Sequence, residues 1–196
     1  MKSGLSPLNR LGHVPRVRLG AVVAVALAAA FVVWLVVRDS DHPAAAPAAA
    51  PAIPKTAGVG PVAQSLAGLK RFAAAADHPI YWAGPKTGKT YELVQTTNGR
   101  VYIRYLPPGV VPGAKKWFLT VATYPYPGAF ASLSALAKHQ GGGIDIGHGG
   151  IALVDKAYPK SVHLAYPGVE YEVEVFSPSP ALSRRVVVSG QVTAIR

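Results

Sequence analysis

Residues 90–106 read TYELVQTTNGRVYIRYL, and their pattern decides the fold class. Side chains on a strand alternate between its two faces, so a period of two marks a half-buried strand. Arg100, Tyr102 and Arg104 fall on one face here, opposite Val101, Ile103 and Tyr105. Asn98-Gly99 interrupts the run. Asn-Gly between two such stretches is the strongest short-range hairpin signal, because a two-residue type I′ turn needs φ > 0 at both positions. The spacing predicts strands over 90–97 and 100–106 joined by a tight turn.

Working outward, 80–83 reads as a short strand and 117–124 as another, stopped by Pro125 and Pro127. Leu66, Leu69, Phe72 and Ala73 recur at helical spacing within 64–76, and His78-Pro79 ends that helix. Phe130, Leu133, Leu136 and Ala137 mark one face of a second helix over 128–140, closed by three glycines. Strands follow at 150–155, 161–166 and 170–176, with Tyr166-Pro167-Gly168-Val169 suited to a type II turn. Ser179 and Pro180 then open a last helix to about residue 189. The expectation is an α+β domain with about seven strands in a mainly antiparallel sheet and three packed helices. Its helix-then-strands order occurs twice. Glu170, Glu172 and Glu174 also share a strand face, opposite Tyr171, Val173 and Val175. If the acidic and basic stripes lie on one side of the sheet, each exposed cross-strand pair adds about 0.2–1 kcal/mol.

The N-terminal third has a different character. Residues 19–37, from Leu19 to Val37, read LGAVVAVALAAAFVVWLVV without a charge. As a helix this stretch is about 28 Å long, close to the roughly 30 Å hydrocarbon core of a bilayer. Residues 1–18 carry Lys2, Arg10, Arg16 and Arg18 and no acid, whereas Arg38 is followed by Asp39 and Asp41. The positive-inside rule then places 1–18 in the cytoplasm as a basic tail, 19–37 across the membrane and the remainder outside. An uncleaved anchor fits better than a signal peptide, whose apolar stretch is shorter. Residues 38–63 are Ala/Pro-rich, with prolines at 43, 47 and 51, and read as an extended stalk leading to a domain over 64–196.

Charge and composition limit what such a domain does. Cysteine is absent, which removes disulfides, thiolate metal sites and a cysteine nucleophile. Of the net charge of +11, residues 64–196 hold 14 basic and 7 acidic side chains, hence +7. That sign favours an anionic wall polymer or lipid headgroups. Nucleic acid is a poor partner, since the basic residues are scattered.

One motif imitates chemistry. Ala83-Gly84-Pro85-Lys86-Thr87-Gly88-Lys89-Thr90 matches a relaxed phosphate-binding loop, and residues 151–155 resemble the acid-ending strand that accompanies one. On that reading Lys89 meets phosphates while Thr90 and Asp155 hold Mg²⁺. A phosphate loop works by opening a helix, whose amides and dipole face the anion. Here Thr90 leads into a strand, and Pro85 removes a donor. Gly88, Lys89 and Thr90 are therefore read as a decoy, and no nucleotide cofactor is expected. His78, His139, His148 and His163 are dispersed, so no metal site is expected. Ser, His and Asp residues are present, but no spacing assembles them into a catalytic group. The segment GGGIDIGHGG, 141–150, reads as a mobile connection or a binding loop around Asp145 and His148.

The run HPIYWAGPKTGKTYELVQTTNGRVYIRYLPPG and the later HLAYPGVEYEVEVFSPSP resemble a group of uncharacterised membrane-anchored proteins of high-GC Gram-positive bacteria. The likeness covers roughly 64–196 and implies an extracytoplasmic domain of the same kind, without an activity. The expected function is a non-enzymatic binding or interaction module of the cell envelope. A nucleotide-binding protein and an envelope hydrolase with unassigned residues stand as alternatives.

Overall fold

A computed structural model describes residues 57–196; the expected basic tail, membrane helix and most of the stalk lie outside the described residues. Among the described residues no helix is long and apolar enough to cross a membrane. In chain order the elements are β1 (Val59–Gln64), α1 (Leu66–Ala75), β2 (Tyr81–Trp82), β3 (Thr90–Gln95), β4 (Val101–Leu106), β5 (Thr120–Pro125), α2 (Ala129–Gln140), β6 (Ile144–Ile146), β7 (Gly150–Val154), β8 (Ser161–Ala165), β9 (Tyr171–Phe176), α3 (Pro180–Val188) and β10 (Thr193–Ala194). Eight strands form one antiparallel sheet in the order β1-β3-β4-β5-β9-β8-β7-β6, while β2 pairs with β10 separately. The described residues form an α+β fold with three helices, as the alternation and helical spacing implied.

Each meander, β3-β4-β5 and β7-β8-β9, follows a helix, and their last strands β5 and β9 pair at the centre of the sheet. One sheet face is apolar. Leu93, Ile103, Val121, Val175 and Val162 face one another across successive strands. They bury against Leu69 of α1, Val186 and Val187 of α3, and Trp82 and Ile195 around the small sheet. Fully burying side chains of this size is worth about 1.5–3 kcal/mol each, so this layer is the main source of stability. A second cluster, Ala129, Leu133 and Ala137 of α2 with Leu153 and Ala165, packs on the opposite face over β7 and β8.

Several local expectations change. The β3–β4 turn is not type I′: Gly99 has φ 76°, while His148 is the described non-glycine residue with positive φ, so Asn98 does not share it. Gly99 N–H donates to Thr96 O at 3.0 Å and Thr96 N–H to Arg100 O at 2.9 Å. This is the three-residue loop in which a left-handed glycine follows a type I turn. Residues 59–64 form an edge strand rather than the end of the stalk; α1 begins at Leu66, not at Gln64, and Ser65 caps it by accepting from Gly68 N–H at 3.0 Å. Pro61 and a register shift between Val59 and Val62 break that edge, which protects it from pairing with other chains. The strand expected at 80–83 leaves the main sheet for β10, and 117–119 precede β5 instead of belonging to it. Leu136 is exposed, so the buried stripe of α2 is Ala129, Leu133 and Ala137.

Candidate functional site

Register decides which side chains meet on the face opposite the apolar layer. Directly opposed residues share a face. Tyr102 lies beside Ala122, Ala122 beside Glu174, and Glu174 beside His163. In the next row Tyr124 faces Glu172. In the row on the other side Glu92 faces Arg104, then Thr120, Phe176 and Ser161. The acidic and basic stripes therefore do occupy one side of the sheet. They do not pair with each other, because β5 stands between them and contributes Thr120, Ala122 and Tyr124.

Arg104 turns instead to Glu92, whose side chain is buried, at 2.5 Å. Glu92 also accepts from Gly113 N–H at 2.7 Å, and Arg104 donates to the carbonyls of Ala114 and Lys116 at 2.8 and 2.7 Å. This arrangement straps residues 107–119 across β3 and β4. Helix α2 covers β7 and the Ala165 end of β8. Between strap and helix a strip of β4, β5, β9 and β8 stays uncovered, carrying half-buried Tyr102, Tyr124, Glu172, Glu174 and His163 with exposed Arg100 at its end.

The strip is a connected polar network. Tyr124 and Ser161 both donate to Glu174, each at 2.5 Å. His163 Nδ1 lies 2.7 Å from Glu172. The Tyr102 and Tyr124 rings meet edge-to-face at 5.7 Å, and the Arg100 guanidinium stands 5.7 Å from the Tyr124 centroid. Burial, then the Glu174 charge, raises the Tyr124 hydroxyl far above the usual phenol range, so it stays a donor. Burial pulls His163 towards neutrality, but the Glu172 hydrogen bond and the charges of Glu172, Glu174 and Asp155 outweigh it and raise its pKa above 6.5. The strip thus presents half-buried tyrosine rings beside carboxylates that already have partners.

A serine, a histidine and two glutamates have come together here, yet not as a nucleophile relay. Ser161 gives its proton to Glu174, and His163 is engaged by Glu172. Ser161 and His163 are two residues apart on β8, about 7 Å along the strand. Each is held by a different glutamate, so Ser161 makes no hydrogen bond to a histidine base here.

The phosphate-loop look-alike takes the shape of a turn into a strand. Gly88 has φ 69° in a turn closed by Lys89 N–H to Lys86 O at 3.2 Å, and Thr90 begins β3. Two more of its amides are occupied: Ala83 N–H donates to the Tyr105 hydroxyl at 2.7 Å and Lys86 N–H to the Tyr91 hydroxyl at 3.1 Å. Lys86 itself reaches Gln191. Asp155 follows β7, five strand spacings from β3 in the sheet order, about 24 Å away. Thr90 and Asp155 cannot share one metal ion across that span. The dispersed histidines stay apart: His78 stacks on Tyr171 at 4.4 Å, His139 and His148 are exposed, and His163 belongs to the strip. Among the described residues no cluster of three or more His, Cys, Asp or Glu side chains is placed to hold a metal. The glycine-rich segment forms the β6–β7 hairpin. An open depression of about 410 Å3 beside it is lined by Phe130, Lys138, Asp145 and Ile151 among others.

Sequence reasoning set His163 aside and never reached Ser161 or Tyr102 as site residues. A signal was present: Ser161 and His163 alternate with Val162 and Leu164, which places the pair on the face opposite an apolar one. Nothing in the sequence names β9 as their neighbour. No protein family, curated protein or solved structure matches the chain.

Proposed function

We propose that this chain is a membrane-anchored, extracytoplasmic binding module of the cell envelope, held by Leu19 to Val37, and that the strip between α2 and the strap is its binding surface. One observation carries the reading. The face opposite the apolar layer is covered by a helix at one end and a strap at the other, while Tyr102, Tyr124, Glu172, Glu174 and His163 between them are left open. Ring faces beside hydrogen-bonding carboxylates suit a polyhydroxylated chain, which stacks its sugar rings and shares its hydroxyls. A wall glycan is therefore the favoured partner. The tail charge, the uncharged 19-residue stretch and the Pro-rich spacing after it support the anchor and the outward orientation.

The full-length chain, solubilised in detergent, should sediment with isolated cell-wall glycan. Tyr102→Ala, which removes a half-buried ring from the polar face without opening the apolar layer, should weaken that binding about tenfold, the scale of a lost aromatic contact. In cells, a photo-crosslinker at position 102 should capture wall material. Capture of a membrane protein instead would replace the glycan by that partner, and no capture together with no sedimentation would end the reading.

A further inference from the structure

The strap is built more rigidly than a simple cover requires. Val110 N–H donates to Pro107 O and Ala114 N–H to Val111 O, at 3.2 and 3.3 Å. Gly109 and Gly113, with φ of 77° and 81°, each follow a proline, the sequence and geometry of type II turns. Glu92 and Arg104 then clamp its backbone from below. A segment so fixed has a settled backbone course, with the Trp117 ring tilted against Phe176 at 5.4 Å between centroids. It holds Trp117 77% and Val111 69% exposed, the two most exposed large apolar side chains among the described residues. Lys115 and Lys116 are exposed between them, and residues 107–119 contain no acid.

We infer that residues 110–117 form an interfacial loop that docks on an anionic bilayer surface. Trp117 and Val111 enter the headgroup region, and Lys115 and Lys116 meet lipid phosphates. Tryptophan's apolar ring with a polar N–H suits that boundary, and each nearby lysine adds attraction to anionic lipid. A soluble polyanion would use the lysines yet leave the two apolar groups in water. A stable protein interface needs about 800 Å2 per partner, more than an eight-residue loop supplies. The strap also leans on β1: a Cβ on Gly113 would lie 3.6 Å from Pro61. That strand follows the proposed stalk directly, so the loop sits where the tether enters the domain. The last point rests on the anchor reading; the exposure, charge and rigidity do not.

The test uses the full chain carrying Trp34→Phe, with phosphatidylcholine vesicles and with vesicles containing about one-third phosphatidylglycerol, whose surface is anionic. Flotation with pure phosphatidylcholine reports the anchor alone, and its failure overturns the anchor reading without touching the loop. Brominated lipid chains then report the loop. Quenching is expected in the anionic vesicles, absent in Trp117→Phe, and reduced about 30-fold in apparent lipid affinity by Lys115→Gln with Lys116→Gln, about fivefold per lysine. Trp82, which is buried, serves as the internal reference and checks that each variant is folded. Trp117 equally open to aqueous acrylamide in both vesicle types overturns the proposal. Protection by soluble polyphosphate in phosphatidylcholine vesicles overturns it in favour of a polyanion site.

Discussion

His163 shows how a half-buried side chain is tuned by the carboxylates around it on the sheet. Burial disfavours its charge, while Glu172 at 2.7 Å and the more distant Glu174 and Asp155 favour it, and the carboxylates prevail. Because the folded pKa lies above the unfolded one, protonation stabilises the fold. The contribution is fully present below the unfolded value of 6.5 and disappears as pH rises through the folded value. His163→Gln should therefore cost stability in mildly acidic solution and progressively less towards alkaline pH. Urea unfolding of both proteins across that range measures it. A difference that is flat, or that widens with pH, contradicts the assignment. The Glu92–Arg104 pair obeys a different logic, since its value lies in fixing the strap. Removing one member of such a buried pair leaves the other uncompensated, commonly at about 3–5 kcal/mol.

At the scale of elements, the β3–β4 hairpin separates two turns that share a sequence. A type I′ turn would place Asn98 in the left-handed region, whereas the observed loop places Gly99 there, with φ 76°. A Cβ in that region costs roughly 1–2 kcal/mol. Gly99→Ala should lower stability by about that amount, while Asn98→Ala should cost less than about 0.5 kcal/mol, because it forgoes only an exposed contact with Thr96. Equal losses at the two positions, read from thermal unfolding, would restore the type I′ turn. The strip is likewise a property of elements. α2 and the strap are short covers over a wide sheet, and what they leave uncovered is available for binding.

At the scale of the whole molecule, β1 is the first described strand and the element that would join the proposed tether to the domain. It pairs with β3 at the sheet edge and carries Pro61 and a bulge, the features of an edge that resists further pairing. A chain beginning at residue 57 should fold and remain monomeric. One beginning at Ser65 exposes the backbone of β3 and should melt lower and self-associate. Light scattering and calorimetry on the pair distinguish the outcomes, and identical behaviour would show β1 to be dispensable.

The sequence by itself determined the local half of this protein. Period-two alternation placed the β3–β4 hairpin and β9, helical spacing placed α1 and α2, and proline and glycine marked most of the turns, because these signals depend on neighbours along the chain. It also placed Arg104, Glu172 and Glu174 on polar strand faces. Only the tertiary structure decided which faces became one. Strand order is a long-range choice: it set β9 between β5 and β8, joined Glu174 to Tyr124 and Ser161, and turned Arg104 to Glu92 instead of the acidic stripe. It equally separated Thr90 from Asp155 by five strand spacings, a distance that no local pattern encodes. Short strands such as β1, β6 and β10 escaped notice for the same reason. Few residues carry each of them, and the partner strand supplies most of their stability.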